Sequence, residues 1–200
     1  MKTLKQLSAS LLCLFLFGTC EQSVEDPSPI AEQQIGLQES KPDMKSKPFK
    51  ARFYTKRTYN PDDVANVGVC DEGTYTALNL QVGGGNATHL GKFSTSLWFC
   101  GSTEDFTYAN GKGEFIAANG DKLYFEIPSG EVMWLTEPNP PYELFFKDPF
   151  IFTGGTGRFE GASGGGNTDS LVDLLDDDGN LIEEHQTDHT WVGVLNLPKN

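Results

Sequence analysis

From about residue 48 onward the chain is written in short runs of alternating or apolar residues, separated by turn formers. Residues 49–59 form the first, with Phe53, Thr55 and Tyr59 on one side. Residues 74–82 form the second: Thr76, Leu78, Leu80 and Val82 share one face, and Tyr75, Asn79 and Gln81 share the other. Gly83-Gly84-Gly85-Asn86 reads as the turn into a third run at 88–99. Residues 106–109 and 113–118 follow, joined at Asn110-Gly111, and Asn119-Gly120, a hairpin signal, leads into 122–127. Residues 142–153 are aromatic on both sides, with Pro149 marking a bend or an edge. Strands are expected at 157–162 and 168–175, then a turn at Asp177-Asp178-Gly179-Asn180 and two runs ending at Leu197. No segment holds a helical period. The pattern predicts an all-β domain, a sandwich or an antiparallel β-barrel of about eight strands.

The N-terminal residues read differently. Lys2 and Lys5 precede an uncharged stretch at 7–17, whose eleven residues would make about 16 Å of helix, too short for a bilayer core. A basic start and a short apolar run match a secretory signal peptide. Phe17-Gly18-Thr19-Cys20, followed by polar Glu21-Gln22-Ser23, resembles a bacterial lipoprotein signal, cut before a cysteine that is then acylated. Phe17 and Thr19 stand where that pattern carries an aliphatic residue and a Gly, Ala or Ser. The alternative is ordinary secretion with Cys20 an incidental thiol; its place where the apolar run stops favours the lipid. Glu21 is not the Asp that marks inner-membrane retention in such signals, which favours the outer membrane. The expected organisation is a signal peptide at 1–19, a Pro-bearing flexible tether at 20–47 and one domain at 48–200.

Charge and cysteines sharpen the picture. The 200 residues suit one domain with extras, and a net charge of −13 excludes a nucleic-acid partner, which needs a clustered basic surface. With 22 glycines and 12% aromatic residues, neither a long helix nor a disordered chain fits. The charge is uneven: residues 41–57 hold seven basic residues against Asp43 alone, whereas residues from 60 onward hold six against 22 acids. The basic stretch either rests on anionic headgroups or, the blander reading, lines the first strand and pairs with the acidic body. Cys13 leaves with the signal and Cys20 takes the lipid, so Cys70 and Cys100 remain as an expected disulfide of an exported domain. If the chain folds back about residue 85, paired positions sum to 170 and these two cysteines face each other across the hairpin.

Gly154-Gly155-Thr156-Gly157-Arg158-Phe159-Glu160-Gly161-Ala162-Ser163-Gly164-Gly165-Gly166 lacks the spacing of a dinucleotide loop and the Gly-Lys-Ser/Thr of a P-loop, so no nucleotide cofactor is expected. It serves instead to let a strand coil strongly and the opposite barrel wall come close. Gly-Gly-Thr-Gly-Arg-Phe followed by Gly-Ala-Ser-Gly resembles the signature strand pair of the allene oxide cyclase-like barrels, a group shared with plant dirigent proteins. Residues 87–93 (ATHLGKF) and 113–123 (GEFIAANGDKL) resemble its bacterial members. The resemblance implies an eight-stranded antiparallel barrel with an apolar lumen, trimeric in plant relatives that steer cyclisation or radical coupling of a hydrophobic molecule. It places no catalytic residue here, and the Cys70/Cys100 pair and the aromatic insert at 138–152 depart from the plant pattern.

Other chemistry is thin. His185 and His189 on a strand would stand about 13 Å apart, too far for one metal ion, and His89 beside a turn reads as structural. Asp176-Asp177-Asp178-Gly179-Asn180 lacks the first and last ligands of a calcium loop, since Leu174 and His185 fall there, and reads as a solvated hairpin tip. No nucleophile motif is present. Of Trp134, Tyr142, Phe145, Phe146, Phe150 and Phe152, one set fills the lumen and the other meets an insert, the tether or another subunit. Three functions stay open: a lipid-anchored envelope protein binding a small hydrophobic ligand or an envelope partner; an isomerase- or cyclase-like enzyme; or a structural interaction module with a filled barrel. Tyr75, Asn79 and Gln81 are the candidate ligand-binding residues, provided their face turns inward.

Overall fold

The computed structural model describes residues 43–58, 70, 75, 77–102 and 104–199. The signal segment, Cys20 and the tether up to residue 42 lie outside them. Eleven strands run in chain order: β1 Met44–Arg57, β2 Ala77–Ala87, β3 Gly91–Gly101, β4 Thr107–Ala117, β5 Lys122–Glu131, β6 Met133–Asn139, β7 Tyr142–Phe146, β8 Pro149–Gly155, β9 Ser163–Asn167, β10 Ser170–Leu175 and β11 Leu181–Pro198. β1, β2, β3, β4, β5, β8, β9 and β11 pair in that order, and β11 returns to β1. The result is a closed antiparallel eight-stranded barrel, of the two all-β architectures the pattern allowed. β1 begins ahead of Pro48, pairing Met44 with Pro198.

β11 organises the whole. Its residues 192–196 pair with β9, while residues 181–189 pair with β10. β10 in turn pairs with β7, and β7 with β6. These three strands and the first half of β11 therefore extend one wall of the barrel beyond the closed ring. The alternation of strand side chains does the rest. From β1, Phe49, Ala51, Phe53 and Thr55 point inward and are buried, while Lys50, Arg52, Tyr54 and Lys56 point out. Around the end where β1 begins, the lumen is a ring stack. Trp191 is fully buried, with centroids 4.6 Å from Phe150, 4.9 Å from Phe125 and 5.5 Å from Phe115.

Three local expectations are corrected. The fold-back between β2 and β3 lies at residues 88–90, with Ala87 opposite Gly91, so paired positions do not sum to 170. Gly83-Gly84-Gly85 is mid-strand: a Cβ on Gly83 would lie 2.0 Å from the Tyr54 carbonyl oxygen of β1, so glycine serves close strand approach and not a turn. His89, at φ 68°, makes the turn, and its Nε2 lies 3.1 Å from the Pro48 carbonyl oxygen, a structural role. The disulfide nonetheless forms, with Cα atoms 5.6 Å apart. Cys100 stands opposite Leu78, and Cys70 reaches it from before β2, so the bond does not join paired strand positions. Second, Asn110-Gly111 is no hairpin. Asn110, at φ 58°, lies where β4 slips by one residue against β3 within one continuous strand. Third, residues 157–162 are not a strand: Gly157–Phe159 form a single 3-10 turn that buries Phe159.

Of the glycine cluster, Gly164, Gly165 and Gly166 form the heart of β9. A Cβ on Gly166 would sit 2.0 Å from the Val192 carbonyl oxygen and 2.6 Å from the Gly193 Cα. The close approach is between neighbouring strands and not across the barrel.

Candidate functional site

At the opposite end, where β1 finishes and β11 starts, the lumen opens into a cavity of about 370 Å³. The extension strands supply one wall, with Leu144, Phe146, Val172 and Leu174; β2, β3 and β4 supply the other, with Phe99 and Tyr108. That size lies within the range of small-molecule sites, as does the largely apolar lining with a few polar groups.

Those polar groups arrive by strand alternation. On β2 the face that carries Asn79 and Gln81 points inward, and on β11 His185, Thr187 and His189 do the same. Two buried atoms in the cavity wall have no hydrogen-bond partner in the protein: Asn79 Oδ1 and His185 Nδ1. Burial and then the nearby Arg57 charge hold His185 below its ordinary pKa, against the Ile182 carbonyl and Asp173, so the ring is neutral at neutral pH.

The floor is a chain of hydrogen bonds with a fixed direction. Thr55 Oγ1 donates to Gln81 Oε1. Its oxygen therefore accepts from His189 Nε2–H at 2.9 Å, which leaves His189 Nδ1 to accept from the Ser170 hydroxyl at 2.8 Å. Burial pushes His189 down to about 3, so the ring is the neutral Nε2–H tautomer. Thr55 takes one of the two acceptor positions of the Gln81 carbonyl, and the Gln81 amide N–H groups are the donors it has to offer. Tyr108, at the side wall, donates to Asp148 Oδ2 at 2.7 Å; burial, then that bond, raises its pKa and keeps it protonated.

The three residues singled out from the sequence are thus partly brought together. Asn79 and Gln81 line the cavity. Tyr75 lies ahead of β2, and its hydroxyl stands at the rim 3.3 Å from Thr107 Oγ1, whose own proton goes to Asp105. His185, Thr187, Tyr108 and Arg57 were not anticipated; the polar residues at every second place of 185–189, in step with Trp191 and Leu195, are the signal that could have found the first two. No group of three or more metal-ligating side chains occurs among the described residues. The Asp176 carboxylate accepts from the Asp178 and Asn180 backbone N–H groups, capping an exposed hairpin tip. The aromatic insert divides: Phe150 and Phe152 pack in the lumen, Phe146 lines the cavity, Tyr142 donates to Asp188, and Trp134 stays exposed with its ring edge on Phe106.

A larger groove, about 950 Å³, lies at the other end, where Lys45, Lys47, Arg158 and Lys199 surround an open surface. None of the unpartnered buried polar atoms lines it. In comparison with known proteins, no family model, no curated protein and no solved structure matches the chain.

Proposed function

We propose that the chain is a lipid-anchored envelope protein whose barrel mouth binds a small, largely apolar molecule with a hydrogen-bonding head. The observation that carries the binding reading is the pair of unpartnered atoms, Asn79 Oδ1 and His185 Nδ1, in the wall of an otherwise apolar cavity. A buried acceptor without a donor costs roughly 1–3 kcal/mol, which a ligand N–H or O–H would recover. Asn79 Oδ1 accepts from the ligand and the Gln81 amide donates to it, so the head carries both a donor and an acceptor. The reading includes kinship with the allene oxide cyclase-like barrels, supported by the eight-strand closure and the glycine strand β9. The anchor is supported by the sequence around Cys20 and is tested by Cys20→Ala. That variant leaves the membrane fraction if the cysteine is acylated; unchanged fractionation refutes the anchor.

The cavity is tested with N-phenyl-1-naphthylamine, a neutral apolar fluorophore with one N–H donor. The parent protein should bind it saturably, and Asn79→Leu, which removes the acceptor for that N–H, should weaken binding by about five- to tenfold, one neutral hydrogen bond's worth, with His185→Phe weakening it less. Equal affinity in all three proteins, or no binding to any, defeats the proposal. One observation favours a second reading, an isomerase- or cyclase-like proton transfer: His185 is a neutral ring with a free nitrogen inside the cavity. Under that reading, the protein converts a ligand that a His185→Gln variant still binds but leaves unchanged.

A further inference from the structure

The outer face of β1 is cationic in a protein that is acidic as a whole. Lys50, Arg52 and Lys56 project from it at successive outward positions, around Tyr54, which is 48% exposed. The blander reading of this basic stretch was that it pairs with the acidic body. Among the described residues, Lys45, Lys47, Lys50, Arg52 and Lys56 have no carboxylate within 4.0 Å. The pairing register shows why. Opposite Lys50 stands Val192; opposite Arg52 stand Thr190 and Asn86; opposite Lys56 stand Gln186 and Val82. Asp188, opposite Tyr54, is the nearest acid by register, and it is already engaged by the Tyr142 hydroxyl and the Gln186 amide.

Apolar side chains adjoin the cations. Val192 and Val194 on β11 are 53% and 44% exposed, and Ile151 on β8 is 44% exposed. Ile151, Gly165, Val194 and Pro48 lie in one row across four strands, with only a glycine between the two exposed aliphatic residues. A smooth aliphatic strip beside unpaired cations is the chemistry of a surface that meets an anionic, amphipathic layer.

We propose that this face, on β1 and the neighbouring part of β11, rests on a bilayer bearing anionic phospholipid headgroups. This rests on the lipid-anchor reading above, and the chain outside the structure argues for it. From Cys20 to the start of β1 are 24 residues, a reach of at most about 80 Å, so an anchored barrel stays at high local concentration beside the headgroups. The cationic row runs lengthwise to Lys56, whose chain neighbour Arg57 turns to the other face and lines the cavity, so docking on this side sets the cavity mouth next to the bilayer. An apolar ligand would then pass between lipid and cavity with little exposure to water.

The test separates docking from anchoring. The chain from residue 20, carrying Cys20→Ser so that no acyl chain contributes, keeps every strand of the closed barrel. It is sedimented with phosphatidylcholine vesicles with and without phosphatidylglycerol. Binding should need the anionic lipid and weaken as salt rises. Replacing Lys50, Arg52 and Lys56 together with Gln should weaken it about a hundredfold, whereas Lys112→Gln with Lys147→Gln, two cations away from this face, should leave it unchanged. Matching thermal unfolding of the triple variant and the parent shows that the fold is intact. Equal binding to both vesicle types, no binding, or undiminished binding by the triple variant overturns the proposal. So does a dimer in light scattering that the triple variant dissociates, which would assign the face to a second copy. Failure here leaves the Cys20→Ala fractionation result standing, and the converse also holds.

Discussion

The two ends of one lumen, followed along the inner face of β11, behave as different materials. At Leu195 and Trp191 the neighbours are almost all aromatic or aliphatic side chains, and the space is close to filled, with a void of only about 20 Å³ on the His189 side of Trp191. Two residues on, at His189, the neighbours become Ser170, Thr55 and Gln81, and beyond Thr187 and His185 the space is open. The closed end holds rings that serve the fold, since burying large aromatic side chains stabilises strongly even where, as at the Trp191 Nε1–H, a polar atom goes unpartnered. The open end carries polar groups that the fold has only partly satisfied. A barrel that merely needed to be stable would have continued the aromatic packing. On the binding reading proposed above, the difference assigns function to the mouth and stability to the base.

The largest expected effect breaks the base. Trp191→Ala removes the side chain against which Phe125 and Phe150 pack and should cost about 3–5 kcal/mol in urea unfolding. Leu174→Ala, on the cavity wall and only half-buried, should cost far less. Equal losses would mean that the mouth is packed as tightly as the base and would erase the contrast.

The boundary between the two ends should announce itself through pH. His189 has a folded pKa of about 3, well below the ordinary 6.5. The unfolded chain therefore binds a proton that the folded ring refuses. The stability is fully present above pH 6.5 and is lost as pH falls toward 3, by roughly 1.4 kcal/mol per pH unit. His189→Gln should remove this part of the slope, whatever it does to absolute stability. Parallel stability-against-pH curves for parent and variant between pH 6.5 and 4.5 would show that His189 does not sit uncharged at this boundary.

Much of this was legible in the sequence, but unevenly. Alternation at 49–59 and the turn at Asn119-Gly120 announced strands and a hairpin because each rests on local geometry, and Gly120 does adopt φ 87°. Gly83-Gly84-Gly85 misled for the complementary reason. Glycine serves turns and close strand contacts alike, and only the distance to the Tyr54 carbonyl, fixed by a strand remote in sequence, tells them apart. Likewise Thr168-Asp169, between β9 and β10, reads as part of a strand, yet it is where β11 changes partners. The cavity exists because of that change of partner. Asn79 and Gln81 could be placed on one face from spacing alone. That the face turned inward, toward a histidine more than a hundred residues away, depended on barrel closure.

The smallest expected effect is the sharpest about function. At the mouth, Asn79 Oδ1 is buried without a donor, as the Trp191 indole N–H at the base is without an acceptor, but Asn79 brings no ring packing to offset that standing cost. Asn79→Leu has similar volume and removes that cost. In the absence of ligand it should leave urea stability unchanged or raise it by about 1 kcal/mol, against the usual direction for a buried substitution. The same variant should bind N-phenyl-1-naphthylamine more weakly. Stability and binding then move in opposite directions at one residue, as expected where a polar group is kept for a visitor. Were Asn79→Leu to lose a kilocalorie or more with dye binding intact, Asn79 would be a structural tie and the mouth would differ from the base only in being less full.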